Sequence, residues 1–348
     1  MNQQKIIVPT GYMGSGSSAI TDLLREYSSL NTKNADFEYI FLHAPSGVFD
    51  LEKKLLLNNN AVRSDEAIKE FRALMEKLFH YRGWWPAGYK NAVSDRFLII
   101  VEEFIDSIKT TEFEGNWYIY ERPSYLIYIY RAILKRVGRF FGINLTTRKS
   151  KKVHLEMSLI EEDEFYINAK RFIEKVIDEI NPSHQDIVLD QLLLPHNLSG
   201  FQNYGFDNVF PIVVQRDPRD VFISNKYFWA PKNNGVPYPL DVEEFCKYYK
   251  AIRMIEKNTT VNYLKINFED LVLNYEDSVK RIEEYLTLDS QTHSSKFKFM
   301  DPQKSISNLQ IFATDEKFQM EVKIIEERLK EYLYDFPELL KNKNNEIF

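Results

Sequence analysis

Two short segments of this sequence carry residues suited to holding an anion. The first is Thr10-Gly11-Tyr12-Met13-Gly14-Ser15-Gly16-Ser17-Ser18, set between an apolar run and a helical pattern. Its three glycines let the backbone turn tightly, and its hydroxyls add donors, so backbone N–H groups can converge on a phosphate-like charge. The helix start adds roughly half a positive charge at the same point. An ordinary Gly/Ser turn with Ser17 as helix cap is the plainer reading. A nucleoside-triphosphate loop would follow its last glycine with Lys and Ser or Thr, the lysine reaching the β/γ-phosphates. Here Gly16 is followed by Ser17 and Ser18, which disfavours a kinase or an NTPase.

The second segment is Val213-Val214-Gln215-Arg216-Asp217-Pro218-Arg219-Asp220-Val221. Pro218 suits a first helical position, with Asp217 as its cap. Arg216 then falls at the carboxyl end of a strand, where open α/β sheets take their ligands. Ser224 follows eight residues later. An exposed ion pair at a helix start accounts for Arg219 and Asp220 but leaves Arg216 unexplained.

The elements that must position these groups alternate between short apolar runs and longer amphipathic stretches, the pattern of an α/β fold around a mostly parallel sheet. Strands are expected at 5–8, 37–41, 116–120, 186–189, 209–215 and 261–267. Helices are expected at 17–27, 65–79, 97–108, 125–141 and 165–180, with Ile20, Leu23, Leu24 and Tyr27 on one face of the first. The chain, 1–348, reads as a single domain with helical insertions near 50–110 and 125–180 that could cap the ligand edge. Only 341–345 looks frayed.

Composition narrows the function classes. The 348 residues include 45 Lys+Arg against 51 Asp+Glu, a net charge of -6, and are 44% hydrophobic and 14% aromatic. That is enough apolar material for a core, and the wrong charge for a general nucleic-acid binder. One cysteine, Cys246, excludes an internal disulfide, and the six histidines show no metal-ligand spacing, so no metal is expected. The first residues lack an apolar signal core, and no apolar run approaches the roughly 20 residues that cross a bilayer. A cytoplasmic protein is expected.

Together the two anion segments resemble the sulfotransferase superfamily, which uses 3′-phosphoadenosine-5′-phosphosulfate (PAPS) as donor. In that family the first loop cradles the 5′-phosphosulfate, which the resemblance assigns here to Gly14, Ser15, Gly16, Ser17 and Ser18. The second motif, an Arg-x-Pro-Arg/Lys-Asp run with a serine eight residues after the first arginine, grips the 3′-phosphate; Arg216 and Ser224 match it. Phe268-Glu269-Asp270-Leu271-Val272 is similar to the family's Tyr-Glu-Asp-Leu strand-helix unit. The stretch from Asp301-Pro302-Gln303-Lys304-Ser305 to Asn308 is similar to its late nucleotide-closing loop, which brings in Lys304. The resemblance runs in order over most of the chain. It implies a P-loop-like sulfotransferase fold and transfer of the PAPS sulfuryl group to a hydroxyl of a glycan, glycolipid or related acceptor. The bisphosphate PAP would be the product, and the cytosol, which supplies PAPS, the compartment.

One departure stands out. The family places Lys or Arg in the first loop, where this chain has Gly14. Arg122, in Glu121-Arg122-Pro123-Ser124-Tyr125, is the leading substitute, against its reading as a surface arginine. For the acceptor base the resemblance points first to Glu38, 24 residues after Gly14 on the expected second strand. Asp190 comes second, ending the strand at 186–189 and so facing the ligand crevice, and His196, beyond Pro195, third. Two other readings stay open: a nucleotide or small-molecule kinase with Asp190 as its metal-binding acid, and an inactive nucleotide-binding relative.

Three more features have no fixed role. Tyr81-Arg82-Gly83-Trp84-Trp85-Pro86 reads as packing under an insertion or as a platform for sugar rings. Residues 131–152 hold eight basic and no acidic residues among apolar ones; they read as a cap helix with a solvated basic face, or as a peripheral contact with anionic lipid or acceptor. Cys246 reads as a buried filler, and 321–333 as a terminal amphipathic helix.

Overall fold

Alternation along the first strand decides the architecture. In β1 (Ile6–Gly11), Ile6 and Val8 enter one apolar core while Ile7 enters another, so both faces of the strand are covered and the strand is central. The computed structural model describes residues 4–12, 14–81, 83–116, 124–143, 152–233, 235–256 and 261–337. A four-stranded parallel sheet runs in the order β4 (Ile187–Val188), β1, β5 (Val209–Gln215), β6 (Leu264–Asn267). Register pairs Ile6 with Ile187 and Val209, Gly11 with Val214, and Gln215 with Asn267. The expected α/β fold around a parallel sheet is therefore present.

One face of the sheet is covered by the helices Val48–Leu56, Ala61–His80, Phe97–Ile108 and Glu162–Ile180, which meet through Phe71, Phe104, Phe165 and Phe172. The other is covered by Ser17–Leu24, Phe268–Leu273 and Tyr275–Leu286. A third cluster joins Pro218–Ile223 and Val242–Glu256 to Gln319–Arg328. Outside the sheet, β2 (Thr111–Gly115) and β3 (Val153–Met157) form an antiparallel pair. The helix Tyr125–Phe140 lies between them in sequence.

One strand expectation needs correcting. Residues 37–41 are not a strand: Tyr39 and Phe41 are fully buried, but the backbone amides of Ile40 and Phe41 donate to the Tyr89 hydroxyl at 2.8 and 3.1 Å. A side chain thus takes donors that a neighbouring strand would otherwise accept. Thr111–Gly115, which lies outside the expected strands, pairs with β3 rather than with the central sheet; of the strand expected at 116–120, residues 117–120 fall outside the described residues, as do 341–345. The first helix also stops at Leu24 rather than at 27, where Tyr27 instead bridges to His293. Among the described residues, no helix is long and apolar enough to cross a membrane.

Candidate functional site

The parallel register places the carboxyl ends of all four strands along one edge, with Gly11, Asp190, Arg216 and Phe268 as the residues that end or follow them. The first loop turns there through two left-handed glycines, Gly14 at φ +81° and Gly16 at φ +86°. Side chains rarely adopt that conformation, and space forbids them too. A Cβ on Gly16 would lie 2.7 Å from the Phe268 ring, and one on Gly14 would lie 2.8 Å from Asn225 Nδ2. Gly16, not Ser17, is the helix N-cap, and it caps without a side chain. Ser15 is buried at 1% exposure, and its hydroxyl has no hydrogen-bond partner among the described residues. An unsatisfied buried hydroxyl beside a left-handed turn is a feature a ligand oxygen would complete.

Arg216 ties this loop to two distant segments. Its side chain is buried at 4% exposure and donates from Nη1 to the Gly14 carbonyl at 3.1 Å and from Nη2 to the Asn308 carbonyl at 2.5 Å. Its guanidinium lies 5.1 Å from the centroid of the Phe268 ring, the same ring that packs against Gly16. The four segments singled out in the sequence therefore meet around one cation.

The rest of the second motif holds that cation in place. Asp217 caps the helix Pro218–Ile223 by accepting from the Arg219 amide, and its other oxygen pairs with the Arg219 guanidinium at 2.7 Å. Arg219 and Asp220 are not the exposed pair that their spacing suggests. Arg219 bonds Asp217 and Glu326 and stacks on Phe312 at 4.1 Å, while Asp220 is fully buried and accepts from the amides of Gln310 and Phe312. Glu269 receives the Asp217 amide at 2.8 Å, and burial lifts its carboxyl to about 8. Ser224 begins a π-helical turn, Ser224–Trp229; its hydroxyl is fully buried and has no hydrogen-bond partner among the described residues. Lys304 stands in the short helix Pro302–Ser305, exposed and 3.7 Å from Asp301.

On the other side of β1 the two leading base candidates come together. Glu38 sits in a loop, half-buried, and the amide of the adjacent Tyr39 donates to the Asp190 carbonyl at 3.0 Å. Burial lifts Glu38 to about 7. Burial first, and then the Glu38 charge, lift Asp190 to about 8, with the Thr21 hydroxyl and the Gln191 amide pulling the other way. Asp190 Oδ1 is buried without a hydrogen-bond partner among the described residues. Both carboxyls are therefore held where each can take up or release a proton near neutral pH. Gln191, next in the chain, adopts a left-handed φ of 55°, and its side-chain amide reaches Ser17 Oγ at 3.1 Å, linking the acid pair to the glycine loop.

The remaining candidates are spread out. His196 lies on the exposed side of the turn Pro195–Asn197. Arg122 falls outside the described residues. Two groups went unnoticed in the sequence. His43 is held neutral by burial, at about 4, and its Nε2 donates to the Gln191 carbonyl at 2.9 Å. Arg253, 3% exposed, lies 4.0 Å from the Tyr12 ring, donating to Tyr249 and Glu256; its four-residue spacing from Tyr249 on an apolar helix face was the available signal. Tyr81, Trp84 and Trp85 are exposed rather than packed beneath an insertion, and Cys246 is buried with its thiol lifted to about 11. Glu112, His154 and Glu156 on the antiparallel pair bring ligand-type atoms within 4.8 Å, but Lys109 and Arg72 already pair with the two carboxylates.

No protein-family model matches the sequence, and no curated protein matches it significantly. Among solved structures, the chain is similar to a sulfotransferase from Mycobacterium avium, at 13% identity over 98% of this chain and 79% of that one, with a TM-score of 0.38. It is also similar to the sulfotransferase domain of the Synechococcus PCC 7002 olefin synthase, at 14% identity over 97% and 96%, with a TM-score of 0.38. A third is the sulfotransferase domain from the curacin biosynthetic pathway, at 11% identity over 93% and 98%, again with a TM-score of 0.38. At such distances the function has to be argued from the site itself.

The acid pair makes a prediction about stability. A carboxyl lifted in the folded state is neutral there while its unfolded counterpart ionises, so the folded form binds more protons and stability falls as pH rises from about 4 to 8. Asp190→Asn, neutral throughout, should raise the melting temperature at pH 8 and flatten its decline between pH 5 and 8. Melting curves across that range check this; a slope equal to wild type would show that Asp190 is not held protonated.

Proposed function

We propose that the protein transfers the sulfuryl group of PAPS to a hydroxyl of a glycan, a glycolipid or a related acceptor. One observation carries this reading: a buried arginine joins the glycine loop to the late loop, beside two unsatisfied buried serines, at the sheet edge that also holds a near-neutral carboxyl pair. The site offers donors for two separate anions and a base for one proton. Those are the needs of sulfuryl transfer by in-line displacement.

The loop amides and the Ser15 and Ser17 hydroxyls, at the start of the helix Ser17–Leu24, are suited to the 5′-phosphosulfate. Arg216 and Ser224 are suited to the 3′-phosphate, where a charge-assisted bond would replace the carbonyls that Arg216 now holds. Lys304 adds a cation from the exposed side. PAPS brings an activated sulfuryl group whose departure leaves the bisphosphate PAP. As the acceptor oxygen bonds to sulfur, the bond from sulfur to the bridging oxygen breaks. The acceptor proton passes to Glu38, with Asp190 next to it as the alternative base, while donors of the first loop hold the charge gathering on the leaving phosphate. Gly14 leaves the family's loop cation missing, and Arg122 is our candidate to replace it.

Ser224 offers the cleaner binding test, because its hydroxyl has no hydrogen-bond partner among the described residues. Ser224→Ala should weaken PAP roughly five- to tenfold without changing the affinity for adenosine 5′-phosphosulfate, which lacks the 3′-phosphate, and Arg216→Ala, which also releases the first loop, should weaken PAP by about 2–3 kcal/mol and adenosine 5′-phosphosulfate by clearly less. Calorimetric titration checks both; equal losses for the two ligands would assign these residues to the fold instead.

Turnover tests the base. Glu38→Gln should keep nucleotide affinity yet slow transfer by roughly 10²- to 10⁴-fold, and the wild-type rate should fall as pH drops below about 7, where Glu38 takes up its proton. Loss of transfer in Asp190→Asn with Glu38→Gln near wild type would move the role to Asp190.

A further inference from the structure

The helix Tyr125–Phe140 has two unlike faces, and both are exposed. Leu126, Ile129, Tyr130, Ile133, Val137 and Phe140 recur at helical spacing along one side. Leu126 is 77% exposed and Phe140 85%. Arg131, Lys135 and Arg139 follow one another at four-residue intervals on the opposite side, with Arg136 at the border. Gly138 is the helix's one buried residue. Among the described residues, no side chain of this helix hydrogen-bonds or ion-pairs with another element.

In sequence the helix lies between the end of β2 at Gly115 and the start of β3 at Val153, two residues that pair with each other. β2 is itself mostly exposed.

We infer that this helix docks the protein on an anionic lipid bilayer. The inference goes beyond sulfuryl transfer and does not depend on it. Charge decides the occupant. The whole chain carries -6, yet the helix Tyr125–Phe140 holds four basic residues, Arg131, Lys135, Arg136 and Arg139, and no acidic one. A helix lying in a membrane interface sinks an apolar face of this kind into the acyl boundary, while Lys and Arg reach up to anionic headgroups. Pairing with a second copy would bury the apolar faces but set like charges along both borders and leave the cations unanswered. A lipid surface answers both faces at once.

Sedimentation with vesicles tests this on the full chain. Wild type should pellet with phosphatidylcholine vesicles containing about one-third phosphatidylserine and stay in solution with phosphatidylcholine alone. Ile133→Glu/Phe140→Glu should abolish pelleting, and Lys135→Glu/Arg139→Glu should weaken it by about tenfold. Unchanged melting temperatures would confirm that each variant is folded, since all four side chains are exposed. Failure of wild type to pellet with the anionic vesicles would overturn the inference, as would pelleting that survives Ile133→Glu/Phe140→Glu. A wild-type dimer that the same double variant converts to monomer, with no vesicle binding, would assign the face to a second copy instead.

Discussion

The site depends on a cation that the fold has taken out of water. A guanidinium at 4% exposure needs partners for its donors, and the carbonyls of Gly14 and Asn308 meet two of them from positions 202 and 92 residues away. That requirement draws the first loop and the late loop to the same strand end. Phe268 completes the arrangement, with one ring packed against Gly16 and under Arg216. Any larger residue at Gly16 would displace that ring, and through it the guanidinium.

A second tension runs through the acid pair. Glu38 and Asp190 are both lifted by burial, which makes them poor contributors to stability above their ordinary range but well matched to proton transfer near neutrality. Strain gathers on the same edge. Gln191 and Gln310 both adopt left-handed backbone, which a side chain occupies at some cost, and they flank the acid pair and the late loop. Each is anchored there, Gln310 by its amide on Asp220 and Gln191 by its side chain on Ser17.

Much of this was legible in the sequence, and for physical reasons. β5 reads as a strand because both faces are covered and its apolar run is unbroken, and Pro218 after Asp217 marks a helix start that the structure keeps. The glycines declare their turn because few other residues can make it. What failed to show was whatever a distant side chain decides. Residues 37–41 have strand composition, but the Tyr89 hydroxyl claims their amides, so Glu38 belongs to a loop. Arg219 and Asp220 looked like a surface pair because nothing nearby in sequence announces that Gln310 and Phe312 will donate to Asp220. His43 and Arg253 carry no motif; their burial exists only after the chain has closed around them.

The central claim is that this edge holds a nucleotide bearing separate 3′- and 5′-anions. Calorimetric titration of the wild-type protein with PAP, set beside ATP with magnesium, tests it most directly. The account predicts that PAP binds at least about tenfold more tightly, since Arg216 and Ser224 answer a 3′-phosphate that ATP lacks. Equal or tighter binding of magnesium ATP would contradict it and return the glycine loop to the triphosphate chemistry that its missing lysine argues against.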